Sequence, residues 1–230
     1  MCSTKTIRRR RMIKLEDLKK DEEIKTLINT AERQLIELGY TEHGLRHIGI
    51  VSTLAGKILK EFGYSEREVE LAEIAGYMHD IGNAINREDH AHTGAILAYE
   101  ILKQRGMDMY EAAEIMMAIG NHDEKTGNAV NPISAALILA DKSDVHRSRV
   151  RNANQSRFDI HDRVNYAVEE SDLVVDKENN KVILKLKIDT NICPVIKYFE
   201  IFLDRMLLSK RAAHYLGIWF ELNINGATLL

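Results

Sequence analysis

The sequence predicts a mainly α-helical fold with a small α+β appendage at its C-terminal end. Two observations lead there. Apolar residues recur at spacings of three and four through the first two thirds of the chain, and after about residue 172 the period drops to two. A third observation bounds the size: 230 residues, 45% hydrophobic and 29% charged, can bury a full core. The expected division is a basic, disordered leader over residues 1–12, a helical domain over 13–171, and an appendage over 172–230 packed against it.

Each element has its own signal. Ile24, Leu27, Ile28, Ala31 and Leu35 make the apolar stripe of a first helix. Val51, Leu54, Ala55, Ile58 and Leu59 make that of a second, and His47, four residues before Val51, falls on the same inward face. Ser65 with Glu68 is a capping box for a third helix, which carries Val69, Ala72, Ala75 and Met78 toward His79. Asp108 with Glu111 is read as another box, ahead of "MYEAAEIMMAIG", and Gly120 closes that helix just before His122. Asn131-Pro132 opens "PISAALILADKSD", apolar nearly all round, which delivers Asp141 from the interior. In the appendage, "KVILKLKID" alternates as a strand, with "DLVV" as its hairpin partner. Pro194 then opens a long helix through Phe199, Phe202, Met206 and Leu207, and "GIWFELNI" alternates again as a further strand.

Charge and cysteine usage narrow the function classes. A net charge of -3 argues against a surface shaped as a whole for nucleic acid or anionic membrane. Cys2 and Cys193 make neither a disulfide framework nor a metal clip, so a reducing cytoplasm is expected. No run approaches the roughly 18 apolar residues of a membrane span. The run Arg8 to Arg11 reads as a solvated leader rather than a nucleic-acid tail, and Met12 is an alternative translation start.

A divalent metal that activates water needs neutral imidazoles and carboxylates converging from separate rigid elements. His47 lies on an inward helix face, His79 and Asp80 end the next buried helix, and Asp141 interrupts the apolar run "AALILAD". A carboxylate inside such a run is costly to bury unless it is paired or bound to a cation. His90 and His122 sit at element boundaries between those points. Six ligands suffice for two ions, with the imidazole of His79 on one and the carboxylate of Asp80 across both.

The order His47, His79-Asp80, Asp141 resembles the HD superfamily of metal-dependent phosphohydrolases over roughly residues 40 to 150, and "HDIG" matches its characteristic wording. "HAHTGAILAYEIL" and "NHDE" are similar to the extra histidine positions of two-metal members, which include the cyclic-dinucleotide phosphodiesterases and the bacterial diadenosine tetraphosphate hydrolases. In that alignment His90, rather than His92, takes the first position, through His-x-x-x-Gly-Ala, and His122 takes the second. Asp123 stands where the cyclic-dinucleotide group has a further histidine, and "KTGNAVNP" replaces its Gly-Tyr-Pro signature, so cyclic dinucleotides are not the expected substrate. The resemblance implies an HD-type helical bundle around the metals and hydrolysis of a phosphoester or phosphoanhydride, usually of a nucleotide, most like the diadenosine tetraphosphate hydrolases.

The expected reaction is attack of metal-held hydroxide on phosphorus, with two divalent ions about 3.5 to 4 Å apart neutralising the phosphoryl oxygens. Iron, manganese, zinc, cobalt, nickel or magnesium would suit these ligands. Asp80 is placed at the reaction centre, His43 as a donor to the leaving oxygen, and Lys142 and Arg147 on the substrate phosphates, while Arg149 and Arg151 read as solvated surface. Asp123 and Glu124 read equally as partners of the ligands, as a general base or as a solvated loop, and the second pair, His161-Asp162, reads as a solvated helix turn. The expected partner is a small phosphorylated molecule, with a homodimer plausible through exposed strand edges. The alternative is a regulatory module that binds a nucleotide with little catalysis.

Overall fold

A computed structural model describes residues 12–151 and 158–229, so the Arg8 to Arg11 run lies outside the described residues. The helices are α1 (Leu15–Leu18), α2 (Glu22–Glu37), α3 (Leu45–Glu61), α4 (Glu66–Met78), α5 (His90–Gln104), α6 (Met109–Gly120), α7 (Pro132–Ser143), α8 (Ile160–Ala167) and α9 (Val195–Tyr215). The strands are β1 (Val168–Asp176), β2 (Lys181–Ile188), β3 (Trp219–Ile224) and β4 (Ala227–Thr228). The fold is mainly α with a small C-terminal sheet. Among the described residues, no helix is long and apolar enough to cross a membrane.

Local chemistry accounts for most helix starts. The Ser65–Glu68 box forms at α4. Asn131 accepts from the Ser134 amide at α7, with Pro132 in the first turn, where its missing N–H costs nothing. The box expected at α6 does not form. Asp108 accepts from the Tyr110 amide, whereas Glu111 takes Arg67 of α4, whose Nε lies 2.7 Å away, because a bidentate cation outcompetes a backbone amide.

Helix α7 is the axis of the molecule, buried from Ile133 to Ser143, with α3, α4, α6 and α9 packed around it. This is why its sequence is apolar nearly all round. Helices α3 and α4 approach closely at Gly76, where a Cβ would stand 2.7 Å from the Ser52 Cα. That close approach brings the start of α3 up to the end of α4.

The sheet order is β1-β2-β3-β4. β1 and β2 form the expected antiparallel hairpin, with Leu173 opposite Leu184. β3 pairs with β2 in parallel, Val182 opposite Phe220, which makes α9 a crossover helix lying between the sheet and α7. The short β4 was not foreseen. The division expected at residues 171–172 falls inside β1, whose Ser171 hydroxyl donates to the Ser143 carbonyl of α7 at 2.6 Å. Helical part and sheet share one core, from Ile24 through Leu137 to Leu222. The pair His161-Asp162 is not solvated as a whole: Asp162 is buried in the first turn of α8, where its amide donates to Asp159 at 2.7 Å, and only His161 is exposed.

Candidate metal centre

Five elements deliver six side chains to one point. His47 comes from the first turn of α3, His79 and Asp80 from the end of α4, His90 from the first turn of α5, His122 from the loop after α6, and Asp141 from the last turn of α7. All are buried. A 3-10 turn at Ile81–Ala84 presses against α5, and a Cβ on Gly82 would collide with the His90 carbonyl and the Gly94 amide. Glycine at 82 is therefore what lets His90 sit beside Asp80.

Every one of the four imidazoles is pinned by Nδ1 and aims Nε2 inward. His79 Nδ1 donates to the Gly76 carbonyl (2.8 Å), His90 Nδ1 to Arg87 (3.0 Å), His122 Nδ1 to Ile119 (2.6 Å), and His47 Nδ1 to the Asp144 carboxylate (2.7 Å). The carboxylate of Asp80 divides them. Its Oδ2 lies 3.4 Å from His79 Nε2 and 3.9 Å from His47 Nε2, and its Oδ1 lies 3.5 Å from His90 Nε2 and 3.9 Å from His122 Nε2. Asp141 Oδ1 closes the first group, 3.3 Å from His47 Nε2 and 3.8 Å from His79 Nε2.

The donor set fits divalent cations on its own chemistry. With both Nδ1 atoms donating, the Nε2 atoms of His47 and His79 face each other at 3.3 Å. Lone pairs opposed in this way beside two carboxylates repel one another unless a proton or a cation lies between them. His47, His79 and Asp141 form one group that could hold an ion, and His79, Asp80 and His122 a second. Burial holds the pKa of His79 and His90 below the ordinary histidine value and that of His122 well below it, so these rings are neutral, as ligation requires. Burial alone would raise Asp80 and Asp141. Polar neighbours outweigh it, His79, His43, His90 and Arg87 at Asp80 and Lys142 with His47 and His79 at Asp141, and hold both well below the carboxylate range.

The other expected site residues are placed differently from one another. Lys142 is buried, donating to Asp141 Oδ2 at 2.6 Å and facing Glu124 Oε2 at 3.2 Å, so it orients a ligand rather than projecting into solvent. His43 is half-buried beside the centre, its ring 5.5 Å from that of His47 and its Nδ1 donating to the Thr41 carbonyl at 2.7 Å. Arg147 is not brought to the ligands: it meets Glu169 at 3.3 Å and lies over the Tyr166 ring. His92 is exposed and directed at Asp89. Arg149, expected on the surface, is buried. Its Nη1 donates to the Asp144 carbonyl at 2.6 Å and its Nε to the Glu42 carbonyl at 3.0 Å, and the second bond ties it to a residue 107 positions away that leaves no local trace. Arg151 is half-buried against Glu32.

Several functional side chains escaped the sequence reading. Asp144 holds His47, and its three-residue offset from Asp141 on a helix was the available signal. Asn83 donates to Asp80 Oδ1 at 2.9 Å. Arg87, over the Tyr40 ring and 4.0 Å from Asp80 Oδ1, stands at a cleft of about 710 Å³ also lined by His90, Asp123, Glu124 and His161. Arg205, from α9 in the appendage, reaches Glu124 Oε1 at 3.5 Å.

The helical fold thus converges four histidines and two aspartates on one buried cluster that could hold metal ions. Residues 44–148 match the family model of the HD domain. Among similar proteins, an uncharacterized protein of Methanocaldococcus jannaschii is 28% identical over 170 residues, 64% of this chain and 65% of that protein. Ribonuclease Y of Lawsonia intracellularis is 36% identical over 108 residues, 46% of this chain and 18% of that protein. Ribonuclease Y of Oceanobacillus iheyensis is 32% identical over 134 residues, 57% of this chain and 24% of that protein. The chain thus spans under two thirds of the first of these relatives and under a quarter of the others. A crystal structure described as a predicted HD superfamily hydrolase from an uncultured Thermotogales bacterium is similar at a TM-score of 0.42 and 24% identity, covering 58% of this chain and 75% of that one.

Proposed function

We propose that the protein is a metal-dependent phosphohydrolase that cleaves a phosphoester or phosphoanhydride of a nucleotide. One observation carries this reading: each Asp80 oxygen faces its own pair of imidazole Nε2 atoms, which suits a carboxylate shared by two cations. His47, His79, Asp80 and Asp141 would hold one ion and Asp80, His90 and His122 the other. When bound, such ions supply Lewis acidity toward water and toward phosphoryl oxygens.

The chain's own residues have distinct tasks in this reading. Asn83 and Lys142 each fix one oxygen of a ligand carboxylate, so Asp80 and Asp141 are oriented before substrate arrives. Arg87 offers guanidinium donors at the cleft mouth, suited to phosphate. Neutral His43, whose Nδ1 is committed to Thr41, keeps a lone pair on Nε2 with which to take up the proton that the attacking water gives off and pass it to the leaving oxygen. Arg147 has no part in this scheme.

Among substrates, dinucleoside polyphosphates are the first choice, through the resemblance of the His90 and His122 positions. The ribonuclease Y relatives support RNA phosphodiesters as the second. The protein, stripped and reloaded separately with manganese, iron(II), cobalt or zinc, is assayed against diadenosine tetraphosphate, a short RNA, and the p-nitrophenyl mono- and diesters of phosphate. Turnover with at least one metal, reduced by at least about 10²-fold in Asp80→Asn, is the expected result. No turnover with any metal, alongside tight nucleotide binding, would replace the enzyme by a binding module.

A further inference from the structure

Helix α9 presents to solvent a face that its own fold leaves uncovered. Ile196, Leu203 and Leu207 are 62%, 46% and 40% exposed, and spacings of seven and four put them on one stripe. The exposed charges beside them are segregated. Glu200 and Asp204 stand in the N-terminal half, where Lys197 is already paired to Glu200, and Lys210, Arg211 and His214 stand in the C-terminal half. At its C-terminal end the helix borders an apolar groove of about 530 Å³ containing Tyr215, Ile218, Trp219 and Phe220, rimmed by Lys210 and Arg211 and, among the described residues, by no acidic one.

We propose that this face binds the same face of a second copy, with the two α9 helices antiparallel about a two-fold axis near residue 205. In that arrangement a residue meets the one whose number completes 410: Leu203 meets the partner's Leu207, Glu200 meets the partner's Lys210, and Ile196 meets the partner's His214 at the mouth of the groove. The acidic half of each helix then covers the basic half of the other, twice over, as an isologous contact requires. A parallel pairing would set acid on acid. The groove is completed by an apolar side chain, Ile196, that each copy exposes at the matching end. A single-stranded nucleic acid could use Trp219 and the cations, but it would leave the Ile196–Leu203–Leu207 stripe bare and meet Glu200 and Asp204 with like charge. The β4 edge is a poorer candidate, since that strand has two residues. Nothing in this inference depends on the metal centre or on catalysis.

Sedimentation velocity on the full chain across the micromolar range tests the pairing. Wild type should be a dimer, and Leu203→Asp a monomer with an unchanged circular-dichroism melt, since Leu203 is half exposed. Lys210→Glu should weaken the dimer by about tenfold or more. The combination Glu200→Lys with Lys210→Glu should restore it, because both copies of the contact are reversed together. A monomeric wild type, or a dimer that neither single substitution weakens, would overturn the proposal. So would a monomer that binds oligouridylate tightly and loses it in Trp219→Ala, which would make the groove a nucleic-acid platform.

Discussion

The imidazole of His47 donates from Nδ1 to Asp144 Oδ2 at 2.7 Å, and Arg46, its neighbour in sequence, holds the same carboxylate oxygen from Nη2 at 2.9 Å. The two bonds fix the tautomer of His47 and so decide which nitrogen faces the centre. Residues in this position tune affinity without touching the ion. Asp144→Asn is predicted to weaken binding of the more tightly held ion by roughly 10- to 100-fold while leaving the ligands in place. Isothermal titration with manganese checks it, and an unchanged affinity would remove Asp144 from the centre.

Gly82 separates the two halves of the ligand set. Gly82→Ala forces the turn away from α5, at a cost of about 1 to 3 kcal/mol and a fall in Tm of roughly 2 to 4 °C for each kcal/mol. The metal count should drop as well, because His90 moves with α5 while His47, His79 and Asp141 do not. Elemental analysis that finds the same metal content as wild type would contradict this.

Lys142 neutralises Asp141 in the absence of an ion. Lys142→Met leaves a buried carboxylate without its cation, which should destabilise metal-free protein by about 3 kcal/mol or more and metal-loaded protein by much less. Thermal melts with excess manganese and with chelator measure the difference. Equal losses in both conditions would mean that Lys142 and the ion are independent.

The pH dependence of stability has a distinct source at the start of α2. Asp21 caps that helix, and the guanidinium of Arg105 donates to it at 2.6 Å, which lowers its pKa below the ordinary aspartate value. A carboxylate depressed in the folded state stabilises above the unfolded pKa, about 3.9, and loses that contribution as pH falls through the lower folded value. Arg105→Ala should therefore cost about 0.5 to 1 kcal/mol at neutral pH, since the pair is partly exposed, and close to nothing near pH 2. Urea unfolding at the two values gives the comparison. A gap that persists in acid would mean that packing, not charge, is what Arg105 contributes.

What was legible in the sequence follows from how local each cause is. Asp141 stands out because a carboxylate breaks an apolar run, and His47 because it keeps the phase of the Val51 stripe. The structure places both at the centre together with His79, Asp80, His90 and His122. The choice of His90 over His92 could be made from the residues that follow, and His92 indeed points to solvent. Arg147, Arg149 and Arg151 look alike in sequence, yet one lies over a tyrosine ring, one is buried on Asp144 and Glu42, and one meets Glu32. Glu169, Glu42 and Glu32, which they meet, are 22, 107 and 119 residues away, and no local pattern encodes them. Arg205 was unreadable for a related reason: alternation in "GIWFELNI" shows a strand, but not that it pairs in parallel with β2 and so lays α9 against α7.

That crossover sets an order in time. Every proposed ligand, from His47 to Asp141, is synthesised before Arg205, so of the two cations that meet Glu124 the ribosome makes Lys142 first and Arg205 well after the whole ligand set. That last cation comes on the helix that joins β2 to β3 and packs against α7.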